Sequence, residues 1–168
     1  MQPTPIPALV ALVLAAGASA QIGTVPDVGL TMSGGFPLPV TVGQECGPFV
    51  CVPLPAAPIN RGGARTITHF GAPNTFFAIA VGSVPLFCIP VGGIANDLML
   101  GNPILTIGVG FTSGLNASTP CFQGTGQVVL HVPPGTPIGI TFNVQSLGFS
   151  TSTGLAAFSP AISSSVGI

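Results

Sequence analysis

From residue 48 to the C-terminus, short apolar runs recur every ~8–12 residues between Gly, Pro, Asn and Ser, the spacing of a β-sandwich or barrel. They fall near residues 48–53, 65–70, 75–82, 84–90, 97–100, 103–109, 126–132, 137–145 and 155–167. Several alternate strictly. Ile138, Ile140, Phe142 and Val144 oppose Gly139, Thr141, Asn143 and Gln145. Val128, Leu130 and Val132 oppose Gln127, Val129 and His131, and Leu105, Ile107 and Val109 oppose Ile104, Thr106 and Gly108. Such alternation predicts one core face and one outward face per strand, as in antiparallel sheets. Residues 75–81 (TFFAIAV) are apolar on both faces, which predicts a central or doubly covered strand. After residue 21 no segment keeps a helical period of about 3.6 residues over several turns. Residues 94–98 and 115–120 are candidates for single helical turns. No repeat of about 20–50 residues stands out. The expectation is an all-β fold: an antiparallel, jelly-roll-like β-sandwich of about eight or nine short strands.

Residues 21–45 are neutral and rich in Gly and Pro, with a strand expected at 38–42. They read as an N-terminal arm, with the sandwich domain at 46–168. Residues 1–20 read as a secretion signal. Residues 8–16 (ALVALVLAA) form a short apolar core, and Ala18, Ser19 and Ala20 are small residues at a cleavage position. The core is shorter than the ~20 apolar residues that span a bilayer, and no later segment reaches that length, so no membrane span is expected in the mature chain. Residues 1–7 contain no Lys or Arg, a departure from the usual signal.

Composition changes the picture in one respect. Of 168 residues only 3% are charged: Asp27, Glu45, Arg61, Arg65 and Asp97. Ordinary domains carry about 25%. No basic patch exists for nucleic acid or anionic lipid. The 24 Gly and 19 Pro approach the composition of disordered chains, but a 47% hydrophobic content and the period-2 pattern argue for turns between strands. With so few titratable groups, stability is expected to vary little between about pH 5 and 9.

The even count of cysteines, Cys46, Cys51, Cys88 and Cys121, suggests disulfides in an exported chain. Of three pairings, Cys46–Cys51 and Cys88–Cys121 are favoured as the sequence-local solution. A zinc site fits poorly, because the spacing lacks C-x2-C pairs.

Little in the chain offers catalysis. There is no G-x-S-x-G elbow; Gly110-Phe111-Thr112-Ser113-Gly114 has its Ser misplaced. The three carboxylates are far apart in sequence, against the flanking pair of a glycosidase. His131 shares the outward face with Gln127, whereas His69 alternates with Ile67 as a partly buried, hydrogen-bonded imidazole. A metal site would have to gather both with Asp97. Arg61 and Arg65 read as a solvated turn with one ion pair to Glu45 or Asp97 rather than an anion clamp. Trp and Tyr are absent and the eleven Phe fall mostly on strands, which argues against a sugar-binding platform. Asn116-Ala117-Ser118 is a glycosylation sequon. The expectation is no enzyme, no cofactor and no metal.

The C-terminal third carries a resemblance. The run Gly139-Ile140-Thr141-Phe142-Asn143-Val144-Gln145, then Gly154-Leu155-Ala156-Ala157-Phe158-Ser159-Pro160-Ala161-Ile162, then Val166-Gly167, resembles the ending of a group of secreted proteins of planctomycete-type bacteria. Phe142 replaces a usual Tyr and Pro160 a usual Asn. The resemblance implies an exported β-sandwich and supplies no catalytic residue.

Neutrality supports one functional expectation. Charge depletion marks interface cores, and edge strands without Lys or charge accept a neighbour's strand. The chain is expected to be a secreted, extracellular or cell-surface structural subunit whose partner is itself, forming a fibre or layer. Residues 21–42 or 161–168 would be candidate strand donors. The alternative is a monomeric secreted binding or adhesion module, favoured by a pocket lined with polar groups and Phe. A small hydrolase would require a Ser or Cys within hydrogen-bond reach of His69 or His131.

Overall fold

A computed structural model describes residues 24–34 and 40–168. The expected secretion signal, its cleavage position, and Leu38 and Pro39 of the expected 38–42 strand lie outside the described residues. Those described are all-β, as the alternation predicts. Thirteen strands are present among them: β1 (Gly29–Gly34), β2 (Val40–Gln44), β3 (Leu54–Pro55), β4 (Ile59–Asn60), β5 (Ala64–Gly71), β6 (Phe76–Ser83), β7 (Ile89–Pro90), β8 (Asp97–Leu98), β9 (Gly101–Phe111), β10 (Gly124–His131), β11 (Thr141–Phe149), β12 (Ala156–Phe158) and β13 (Ile162–Gly167). Eight of these run five residues or more, close to the expected number.

A four-stranded sheet in the order β10-β5-β1-β2 faces a seven-stranded sheet built on β3-β13-β11-β6-β9. In the latter, β12 pairs with β11 and β4 with β13. Pairing is antiparallel except where β13 meets β3 and β4. The core between the sheets takes Leu30 and Met32 from β1, Ile67 from β5, Phe77 and Ile79 from β6, and Phe142 and Val144 from β11. Each is nine-tenths or more buried, worth about 1.5–3 kcal/mol for a large aliphatic or aromatic side chain.

Several expectations need correction. The segment read as an arm belongs to the sandwich: β1 lies between β5 and β2, with Leu30 and Met32 in the core. β13 pairs with β11, and Ile162 and Val166 are buried. The described parts of both candidate donor segments are thus folded into their own molecule, because their apolar residues complete its core. No strand forms over 48–53; the 84–90 run pairs only at β7; and 155–167 divides into β12 and β13 around Ser159, Pro160 and Ala161. The 137–145 strand starts at Thr141 and continues to Phe149, leaving Ile138 and Ile140 half exposed before it. Residues 94–96 are a bend and an isolated bridge leading into β8, and residues 115–120 are coil, turns and bends; neither segment is helix.

β6 is internal to its sheet, as its doubly apolar pattern predicts. β9 departs from simple alternation. Ile79 pairs with Gly108 but Ala80 with Thr106, so Ile107 is an extra residue in a β-bulge. The bulge puts Ile107 against the core and places Gly108 and Gly110 opposite Ile79 and Phe77. Val109 and Phe111 are thereby turned outward beside Ala78 and Phe76. Gly108 is needed for close approach: a Cβ there would collide with the Val128 side chain of β10.

Candidate functional site

Three places gather the residues that could carry function. The first is a buried imidazole–hydroxyl pair. On β5 His69 shares the inward parity of Ile67, and on β11 Ser146 shares that of Val144. His69 Nδ1 lies 2.8 Å from Ser146 Oγ. The ring stacks on Phe77, with centroids 5.2 Å apart and planes 15° apart. A hydrolase would require such a pair, and spacing gave no hint of Ser146. Yet His69 is 0% and Ser146 1% exposed. A Cβ on Gly71 or Gly148 would strike the imidazole edge, so the two glycines close over Nε2, which has no hydrogen-bond partner. Burial pushes the His69 pKa down to about 3. The imidazole is therefore neutral at pH 7, a poor proton acceptor and closed to any substrate. The expected partial burial is corrected to complete burial.

The remaining candidates are dispersed. His131 is exposed at the end of β10 and pairs opposite Ala64, whereas His69 pairs opposite Gly126. Five residues of strand, about 16 Å, separate these rows, so the His69–His131–Asp97 metal site is not assembled. Asp27 lies in a bend before β1 and is 4% exposed, and its Oδ2 accepts a hydrogen bond from the Ser152 amide at 2.6 Å. Arg61 is exposed in the turn after β4, and Arg65 donates through Nη2 to the Pro58 carbonyl at 3.1 Å, so the two do not form a clamp.

The disulfides are Cys46–Cys121 and Cys51–Cys88, the reverse of the sequence-local pairing. Their Cα atoms are 6.1 and 6.0 Å apart, within normal disulfide range. Cys46 leaves β2 at the end of the sheet where the β9–β10 loop folds back, so its neighbour in space is Cys121. Cys51, Cys88 and Asp97 place ligand-type atoms within 4.8 Å of one another, but both sulfurs are spent on the disulfide.

The second place is the free edge of β9. This 11-residue strand ends its sheet, and only β6 pairs with it among the described residues. Residues 98–168 contain no Asp, Glu, Lys or Arg. Along β9, Leu105 is 67%, Val109 60% and Phe111 73% exposed. Phe111 meets Phe76 edge-on at 6.1 Å. The adjoining loop after β6 carries Leu86 and Phe87, also exposed.

The third place is a groove of about 410 Å³ on the outer face of the four-stranded sheet. Its floor comes from alternate residues of β1, β5 and β10, opposite in parity to Leu30, Met32 and Ile67. Thr31, Thr68 and Gln127 stand side by side across three strands. Phe70 pairs with Thr125 in the next row. Asn116, Ser118 and Thr119 form a wall, and Glu45 lies at the rim. The outward polar faces were legible as alternation; their joining with a loop about 50 residues from β5 was not.

No helix among the described residues is long and apolar enough to cross a membrane. No protein-family model matches the sequence, and comparison with curated proteins gives no significant match.

Proposed function

We propose that the protein is an extracellular structural subunit that self-associates into a fibre or surface layer, with β9 as the contact. One observation carries the reading: an 11-residue edge strand without a charge, exposing Leu105, Val109 and Phe111. Natural edge strands are ordinarily blunted by Lys, by charge or by a short length. Here Pro103, the bulge at Ile107 and a second register shift between Gly101 and Leu105 interrupt the edge, but no charge does. A second copy would satisfy the free row of backbone groups and bury the apolar side chains, at about 25 cal/mol per Å² of apolar surface. Strand donation is not part of this reading, since β1 and β13 serve their own core. The two disulfides and the apolar N-terminal run support an exported protein, and the sealing of His69 supports a role without catalysis.

The test is negative-stain electron microscopy and sedimentation of the oxidised protein, with Leu105→Lys/Val109→Lys as the comparison. Ordered polymers that the double variant abolishes, while its melting temperature is retained, are expected. Monomeric wild-type protein at high concentration, with no polymer on cells, overturns the reading.

A second reading, a monomeric secreted binding module, is favoured by the groove, which combines polar groups with Phe70.

A further inference from the structure

We infer that the groove on the four-stranded sheet is a binding site for an uncharged polyhydroxylated ligand, such as a segment of a neutral glycan chain. This deepens the binding-module reading and is independent of assembly through β9.

The first argument is the chemistry of the lining. The floor is built of hydroxyls and amides in register: Thr31 beside Thr68 beside Gln127, with Ser33 beside Thr41 one row away. A Ser or Thr hydroxyl both donates and accepts, and a side-chain amide does the same from two ends. The complementary ligand carries donor-acceptor groups at closely spaced positions without a charge. Sugar hydroxyls meet that description.

The second argument is charge. No Lys, Arg or His lines the groove, and its one ionisable group is Glu45. An anionic ligand would meet no cation and one carboxylate. A metal ion would find a single carboxylate, where calcium takes six to eight oxygen ligands. A vicinal diol can donate two hydrogen bonds to the Glu45 carboxylate. The site therefore discriminates by sign as well as by shape.

The third argument is pre-organisation of the wall. The β9–β10 loop is held to the sheet by Cys46–Cys121, immediately beside Glu45. Gln123, 0% exposed, donates through Nε2 to the carbonyls of Asp27 (3.0 Å) and Glu45 (2.7 Å). Thr119 Oγ1 accepts from the Gln123 amide at 2.7 Å and donates to the Asn116 carbonyl at 2.8 Å. Asn116 Oδ1 accepts from the amide and hydroxyl of Ser118. A long loop fixed this way loses little entropy when a ligand arrives, and such fixing raises affinity. The volume of about 410 Å³ lies within the ~300–1,000 Å³ of small-ligand sites.

The absence of Trp and Tyr limits strength. Phe70 is only 6% exposed and offers little stacking surface. A dissociation constant of about 1 mM is expected, the weak end of specific binding.

The test is amide chemical-shift mapping of the oxidised, isotope-labelled protein titrated with maltotetraose, cellotetraose and chitotetraose. A heparin tetrasaccharide is the charged comparison. The expected result is saturable shifts at Thr31, Thr68, Thr125 and Gln127 with at least one neutral oligosaccharide. Thr68→Val and Gln127→Ala should each weaken binding about tenfold with an unchanged melting temperature. If either variant fails to fold, Thr41→Val on the edge strand replaces it. Shifts with heparin alone overturn the neutral class while leaving the groove as a site. Shifts confined elsewhere, or none with any probe at 20 times the expected dissociation constant (about 20 mM), overturn both the class and the binding-module reading.

Discussion

β9 and β11 lie on either side of β6 in the same sheet, and they distribute polarity in opposite ways. β9 exposes Val109 and Phe111 to solvent. β11 buries Asn143, Gln145 and Ser146 almost completely. Gln145 Oε1 accepts from the Met99 amide at 2.8 Å, while its Nε2 donates to the carbonyls of Asp97 (2.9 Å) and Ser159 (2.8 Å). Asn143 donates to the Met99 carbonyl at 2.8 Å. These amides satisfy backbone groups of β8, of Met99 just after it and of Ser159 between β12 and β13, on the outer face of the sheet. Neutral side chains here replace regular secondary structure inside, and apolar ones remain at an edge where another chain can cover them. On β11 the burial of Gln145 goes with full hydrogen bonding of its amide, whereas Asn143 Oδ1 is buried without a partner.

The largest test of this contrast concerns the loops. In the chain-entropy model, closing sequence separations of 75 and 37 residues contributes about 4 kcal/mol per disulfide. Cys46→Ala/Cys121→Ala and Cys51→Ala/Cys88→Ala should each lower unfolding free energy by that order in denaturant titrations. Peptide mapping should recover Cys46 linked to Cys121.

Next in size, Gln145→Leu removes the side-chain partner of the buried Met99 amide and Ser159 carbonyl and one hydrogen bond to the Asp97 carbonyl. It should cost on the order of 3 kcal/mol by the same titration. A cost below about 1 kcal/mol would break the contrast, because the amide would then be incidental to the loops.

His69 supplies the third effect. Burial holds its folded pKa at about 3, below the ordinary 6.5 of an imidazole in water, so the unfolded chain binds the proton more tightly. The contribution is present above pH 6.5 and is lost as pH falls from 6.5 towards 3. The slope is about 1.4 kcal/mol per pH unit, or roughly 2 kcal/mol lost by pH 5. A decline of this size departs from the flat pH profile expected from composition, and the measured unfolding free energy at pH 7 and 5 decides between them. His69→Gln should remove most of that slope between pH 7 and 5, measured as unfolding free energy.

The smallest effect on the isolated fold belongs to β9. Val109→Lys should change stability by no more than about 0.5 kcal/mol while lowering self-association in sedimentation. A large loss of stability would place Val109 in the core and remove the contrast from that side.

Part of this was legible along the chain. Strict alternation in β10 marked Val128, Leu130 and Val132 as inward, and the structure has Val128 and Leu130 packed on the core with Val132 buried. The doubly apolar run marked β6 as internal. In β11 the alternation assigned Asn143 and Gln145 to solvent, because a period of two separates faces but does not say what covers either. In β9 one extra residue at the bulge moved Val109 to the outer face, and no local signal announces a bulge. The groove needed strands and a loop distant in sequence.

The sequence by itself determined an all-β chain with a neutral surface, because strand patterning and composition are local properties. Only the tertiary structure decided which cysteines pair, that His69 is sealed against Phe77 and Ser146, and that Glu45 and the 116–119 loop line one groove. Each of those depends on which segments become neighbours. That is set by competition among all the apolar faces for one core, a global balance that no window of residues contains.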